Sequence, residues 1–138
     1  MIYTLLAVLV AVAGAYTEGS EILENGTWKD IGKAPTVDGY RLYNYAVIYN
    51  GGHHYYFGGD GYDTILALQE NTWKWSNAGK MNSARKYHGV ILVGDRFMVI
   101  GGSGDKNEAC QLKNGLFNCT EYASNMKDYN KYRVVQKL

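Results

Sequence analysis

The 138-residue chain has no concentration of charge of either sign. Its 14 Lys and Arg and 13 Asp and Glu are scattered, for a net charge of +1. Without a basic stripe there is no nucleic-acid footprint, and without an acidic tail no strongly charged partner. Histidine is scarce, at three residues, and no Asp or Glu cluster joins them at ligand spacing, which argues against a metal site and implies no cofactor. His53 and His54 are adjacent, and in a strand they point to opposite faces. The glycine-rich stretch Ile100–Lys106 lacks Gly-Lys-Ser/Thr and runs into a strand, not a helix, which excludes a phosphate loop. Long hydrophobic runs are limited to one, Leu5–Val12, which ends in Ala13-Gly14-Ala15. A bilayer span takes roughly 20 apolar residues, so this run is too short. Its small-x-small ending predicts a signal peptide over residues 1–15, the alternative being a short membrane anchor. Residues 16–138 are then expected to be secreted, soluble and free of the membrane. Against one proline stand 17 glycines and 13 tyrosines, a composition suited to short strands joined by tight turns.

Cysteine is limited to Cys110 and Cys119. An even count in a secreted chain favours a disulfide. Cys110-Gln111-Leu112 and Phe117-Asn118-Cys119 flank Lys113-Asn114-Gly115-Leu116, and Asn-Gly is a strong hairpin signal. Folding back there sets the two cysteines on adjacent strands, where a bond adds roughly 2–3 kcal/mol in the chain-entropy account. A metal pair or free thiols are the alternatives. Two glycosylation sequons are present, at Asn25 (Asn25-Gly26-Thr27) and Asn118 (Asn118-Cys119-Thr120).

The chain repeats itself. Val47–Phe57 ends in Gly58-Gly59 and Val90–Ile100 ends in Gly101-Gly102, the double glycines lying 43 positions apart. Each segment reads as strand, turn, strand, Gly-Gly. A second signal interleaves: Leu23 and Trp28, Leu68 and Trp73, and Leu112 and Phe117 each stand five apart around a polar turn, at spacings of 45 and 44. The first pair predicts a hairpin at 21–32. The order in a repeat is four strands, at about 46–50, 53–57, 64–68 and 72–76, and again at about 88–93, 96–100, 109–112 and 116–120. A period of this size with four short strands points to propeller blades.

The arrangement resembles the kelch repeat. The matching residues are the apolar strands ending in Gly58-Gly59 and Gly101-Gly102, Trp73 after Asn71-Thr72, and Met81, Arg85 and His88 in the connector. The resemblance covers about residues 20–133. Phe117 stands where a tryptophan is expected, Tyr45 where the later repeat has His88, and Leu66 and Leu68 occupy the strand that usually carries a tyrosine. The resemblance implies an all-β, partial kelch-type β-propeller with blades over 45–77 and 88–121 and the start of another over 126–138. Gly58, Gly59, Gly101, Gly102, Trp28, Trp73 and Phe117 are expected to serve the fold. Such rings close with about five to seven blades, so this chain is expected to be a fragment, or to self-associate to complete a ring.

The expected function is a secreted binding or structural module whose partner is an extracellular protein or a glycan. Its contact surface would be the loops after Gly-Gly, with Asp60, Tyr62 and Asp63, and with Ser103 and Asp105, plus the connectors carrying Arg41 and Arg85. Two alternatives stand beside it: a fragment of a copper enzyme resembling galactose oxidase, and a truncated propeller with no function of its own. No catalytic residue is carried over, because the copper chemistry needs a cysteine linked to a tyrosine and both cysteines are placed to pair with each other.

Overall fold

A computed structural model describes residues 19–34, 44–60, 62–103 and 106–124. The expected signal peptide (1–15), Arg41, Asp105 and the expected further blade (126–138) lie outside these residues.

The described residues form ten strands and no helix. They are β1 (Gly19–Glu24), β2 (Thr27–Lys33), β3 (Ala46–Asn50), β4 (His53–Phe57), β5 (Thr64–Gln69), β6 (Lys74–Lys80), β7 (His88–Val93), β8 (Arg96–Gly101), β9 (Lys106–Lys113) and β10 (Leu116–Ser124). The fold is all-β. Local chemistry explains the tightest turns: Asn25-Gly26 and Asn114-Gly115 take positive φ at both residues, 51° and 76° and 53° and 77°, as two-residue hairpins require.

β1 and β2 make a separate hairpin. The other eight strands form one sheet in the order β3-β4-β5-β6-β10-β9-β8-β7. It consists of two antiparallel meanders, β3 to β6 and β7 to β10. A single parallel bridge, Gly79 with Phe117, joins their last strands. Their first strands, β3 and β7, also touch, so the sheet is nearly closed and barrel-like.

Alternation along the strands creates two cores. Between the meanders lie Tyr55, Phe57, Ile65, Ala67 and Ala78 from the first and Phe97, Val99, Cys110 and Phe117 from the second. Phe117 is the hub: its ring stands edge-on to Tyr55 at 5.0 Å and Phe97 at 4.9 Å, and lies 5.2 Å from Phe57. Such pairs contribute about 0.5–1.5 kcal/mol each beyond the area they bury. On the opposite face of the first meander, Tyr56, Leu66, Leu68 and Trp73 pack beneath Ile22 and Ala34 of the β1–β2 hairpin region. Trp28 has no such cover and is 49% exposed.

Three strands, β3, β4 and β7, have the expected limits. The fourth strand of the first meander does not. It starts at Lys74, and Trp73 lies in the preceding turn with φ 53°. The turn is four residues long, closed by Trp73 N–H donating to the Gln69 carbonyl at 2.9 Å. Leu68 therefore pairs with Trp75, whereas Leu23 and Leu112 pair with Trp28 and Phe117.

Cys110 and Cys119 are directly opposed on β9 and β10 and form a disulfide, with S–S 2.07 Å and Cα atoms 4.0 Å apart.

Candidate functional site

The turns after β4 and β8 emerge at the same end of the sheet as the connector between the meanders, residues 81–87. This connector is the keystone. The Arg85 carbonyl accepts from Gly59 N–H at 2.9 Å, and the next carbonyl, of Lys86, accepts from Ser103 N–H at 3.1 Å. Successive residues thus hold both Gly-Gly turns side by side. Lys86 N–H donates to Ser103 Oγ at 3.1 Å, Arg85 N–H to the Tyr62 carbonyl at 3.1 Å, and Met81 N–H to the Asp63 carbonyl at 2.7 Å.

The glycines permit this close passage. A Cβ on Gly58 (φ 60°) would stand 2.9 Å from the Arg85 carbonyl, and one on Gly102 (φ 77°) 2.4 Å from that of Lys86.

Arg85, expected at the contact surface, is instead fully buried. Its Nη2 meets Glu108 Oε2 at 2.8 Å and donates also to the Lys106 carbonyl, while Nη1 donates to the Gly101 carbonyl at 3.1 Å. The Glu108 carboxylate, equally buried, accepts further from Asn82 N–H at 2.6 Å, Asn82 Nδ2 at 3.1 Å and Ser83 N–H at 3.1 Å. A charge pair survives burial when most of its lone pairs and protons are occupied in this way; Arg85 Nε alone among the guanidinium nitrogens has no partner among the described residues. Arg85 is a structural residue that ties the connector to the second meander.

His88 is buried too. Its Nε2–H donates to the Phe57 carbonyl at 2.8 Å, and its Nδ1 has no partner among the described residues. Burial, opposed by the Phe57 bond and assisted by nearby Arg85, pushes its pKa down to about 4. The unfolded chain, with a histidine near 6.5, then takes up the proton first. Stability attributable to His88 is complete above pH 6.5 and is lost as pH falls towards 4, by roughly 3 kcal/mol. Urea midpoints at pH 7.5 and 4.5 check this. His88→Asn is expected to be less stable at pH 7.5, with the gap to the parent chain closing at pH 4.5; a gap of constant size refutes it.

What remains on the surface is a small group. Asp60 and Ser103 are exposed on the two turns, and Tyr62 and Asp63 are half-buried. Lys86 and Tyr87 lie between them, with Lys86 Nζ 5.4 Å from the centre of the Tyr87 ring. Tyr87 has φ 58°, a left-handed conformation that is strained for a bulky residue, and its N–H donates to the Asn44 carbonyl at 3.3 Å. Sequence reasoning did not single out Lys86, Tyr87 or Asn44 as site residues. The recurrence of Lys-Tyr at 131–132 was the available signal.

No protein-family model matches the chain, and neither does any curated protein.

Of the sequon asparagines, Asn118 precedes Cys119, whose carbonyl accepts from Asn82 Nδ2 of the connector at 2.7 Å. Asn25 is exposed in the β1–β2 turn and Asn118 is exposed on β10. His53 and His54 face opposite ways, His53 stacking on Tyr55 and His54 on Trp73. They do not converge on one point.

Proposed function

We propose that the two meanders are neighbouring blades of a kelch-type β-propeller, and that the chain is an extracellular binding module that meets a partner protein at its connector end. The observation that carries this reading is the clamp of both Gly-Gly turns by consecutive carbonyls of Arg85 and Lys86. It gives Asp60, Ser103, Lys86 and Tyr87 a rigid base, as recognition loops on a scaffold need. Further support comes from the face-to-face packing of two meanders 43 residues apart in phase, and from the disulfide, which suits an oxidising compartment. Galactose-oxidase-like chemistry is disfavoured, because both cysteine sulfurs are committed to that disulfide.

The test is a screen of the secreted chain against extracellular proteins and a glycan array, followed by variants of any hit. Asp60→Lys together with Lys86→Glu, at an exposed and a half-buried position, is expected to weaken binding at least tenfold, with the thermal midpoint measured beside it to separate lost binding from lost stability. Unchanged affinity in that double variant removes this end from the interaction. A hit on the glycan array alone reassigns the partner class.

A further inference from the structure

The end of the first meander away from the connector holds a different group. The β3–β4 and β5–β6 turns lie there, because β4 runs from this end to Gly58-Gly59. Val47 and Tyr49, on β3, are 49% and 53% exposed. The Tyr49 ring lies 4.9 Å from that of His54, which is half-buried on β4 and stacks on the buried Trp73. Tyr49 Oη donates to Glu70 Oε2 at 2.6 Å, and Glu70 N–H donates to the Gly52 carbonyl at 2.8 Å. The carboxylate is thus held in place beside an exposed ring.

The repeat shows what is unusual in this group. Forty-three positions on, Val90, Leu92 and Phe97 stand where Val47, Tyr49 and His54 stand, and all three pack in the core between the meanders. The first meander therefore carries polar-tipped rings at two positions where the second carries hydrocarbon. Covering them with a further apolar sheet would take those tips out of water, at a cost that Leu92 and Phe97 do not incur.

The chemistry of the group selects a ligand. Burial lowers the His54 pKa, against the pull of Glu70, so at neutral pH the charge among Val47, Tyr49, His54 and Glu70 is that of the carboxylate. The Tyr49 hydroxyl hydrogen is spent on Glu70, and apart from His54 none of these four side chains has a free donor. What is offered is a carboxylate oxygen, Oε1, and two ring faces. A sugar hydroxyl asks for donors as well as acceptors. A guanidinium only donates, is planar, and stacks on aromatic rings.

We propose that Tyr49, His54 and Glu70 form a binding site for an arginine side chain of a partner protein, the guanidinium lying on the Tyr49 ring and donating to Glu70. This site is separate from the connector-end surface and does not rest on it.

An NMR titration of the full chain with a blocked glycine–arginine–glycine peptide tests it. Shifts are expected at Tyr49, His54 and Glu70. Replacing the peptide's arginine by citrulline, which keeps the shape without the charge, is expected to weaken binding by roughly fivefold or more, and Glu70→Gln is expected to do the same. Tyr49→Leu installs the residue of the second repeat; it is expected to weaken binding as much while the amide spectrum stays that of the folded chain. Asp60→Lys with Lys86→Glu is expected to leave this binding unchanged. Equal affinity for the citrulline peptide, or shifts that avoid these three residues, overturns the proposal. So does a neutral oligosaccharide that shifts them when the arginine peptide does not.

Discussion

Replacing Glu108 by alanine is expected to remove about 3–5 kcal/mol of stability, the usual cost of stranding one partner of a buried ion pair. The reason is geometric. The carboxylate neutralises Arg85 and at the same time accepts the two backbone N–H groups that open the connector, those of Asn82 and Ser83. Its loss leaves a guanidinium with no exposed surface and two donors without their acceptor. A domain of this size is stable by about 5–15 kcal/mol, so the variant lies near the folding threshold. Glu108→Gln retains an acceptor but not the charge, and falls between the two. Urea denaturation of the three proteins checks the order; an alanine variant within 1 kcal/mol of the parent places the pair among surface-like bridges and refutes the account.

Gly102→Ala is expected to cost about 2–4 kcal/mol, and Gly101→Ala, one residue earlier, about 1 kcal/mol. Both glycines have φ 77°, so both substitutions carry the strain of a left-handed L-residue. They differ in what surrounds them. A Cβ on Gly101 meets nothing within 4 Å, whereas one on Gly102 reaches the Lys86 carbonyl at 2.4 Å and His88 Cβ at 2.8 Å. The atoms it meets belong to the end of the connector and the first residue of β7; the connector is fixed by Glu108 and both turns and has little room to retreat. Thermal midpoints of the two variants separate steric from conformational cost. Equal shifts eliminate the close approach as the reason for the second glycine.

The sequence displayed what is local. β3, β4 and β7 have their expected ends because an apolar run meets Gly-Gly or a tight turn within a few residues. The disulfide was legible because Asn114-Gly115 fixes the register that opposes Cys110 to Cys119. The displaced start of β6 was not legible, since Asn71 and Trp73 adopt positive φ to widen a turn that looks like its counterparts in composition. Nor was the position of Arg85. An arginine in a polar connector reads as exposed, and only the folded chain brings Glu108, 23 residues on, beneath it. Asp60, Tyr62, Asp63 and Ser103 were named, but Lys86 and Tyr87 beside them were not, because Asn44 meets Tyr87 only through the contact of β3 with β7. Trp28 shows the limit from the other side: the repeat marks it as a packing residue, but packing needs a neighbour, and its neighbour is not in the described fold.

The connector also sets an order of events. Stacked repeats ordinarily gain stability from whichever neighbour is already folded. Here the polar partners of the Arg85 side chain, Gly101, Lys106 and Glu108, all come later in the chain. During synthesis the first meander therefore emerges with its closing arginine still in water. It acquires a dry, compensated site for that charge only when the opening of β9 has appeared. Until then the boundary between the meanders lacks both this pair and Phe117, the ring that joins Tyr55, Phe57 and Phe97.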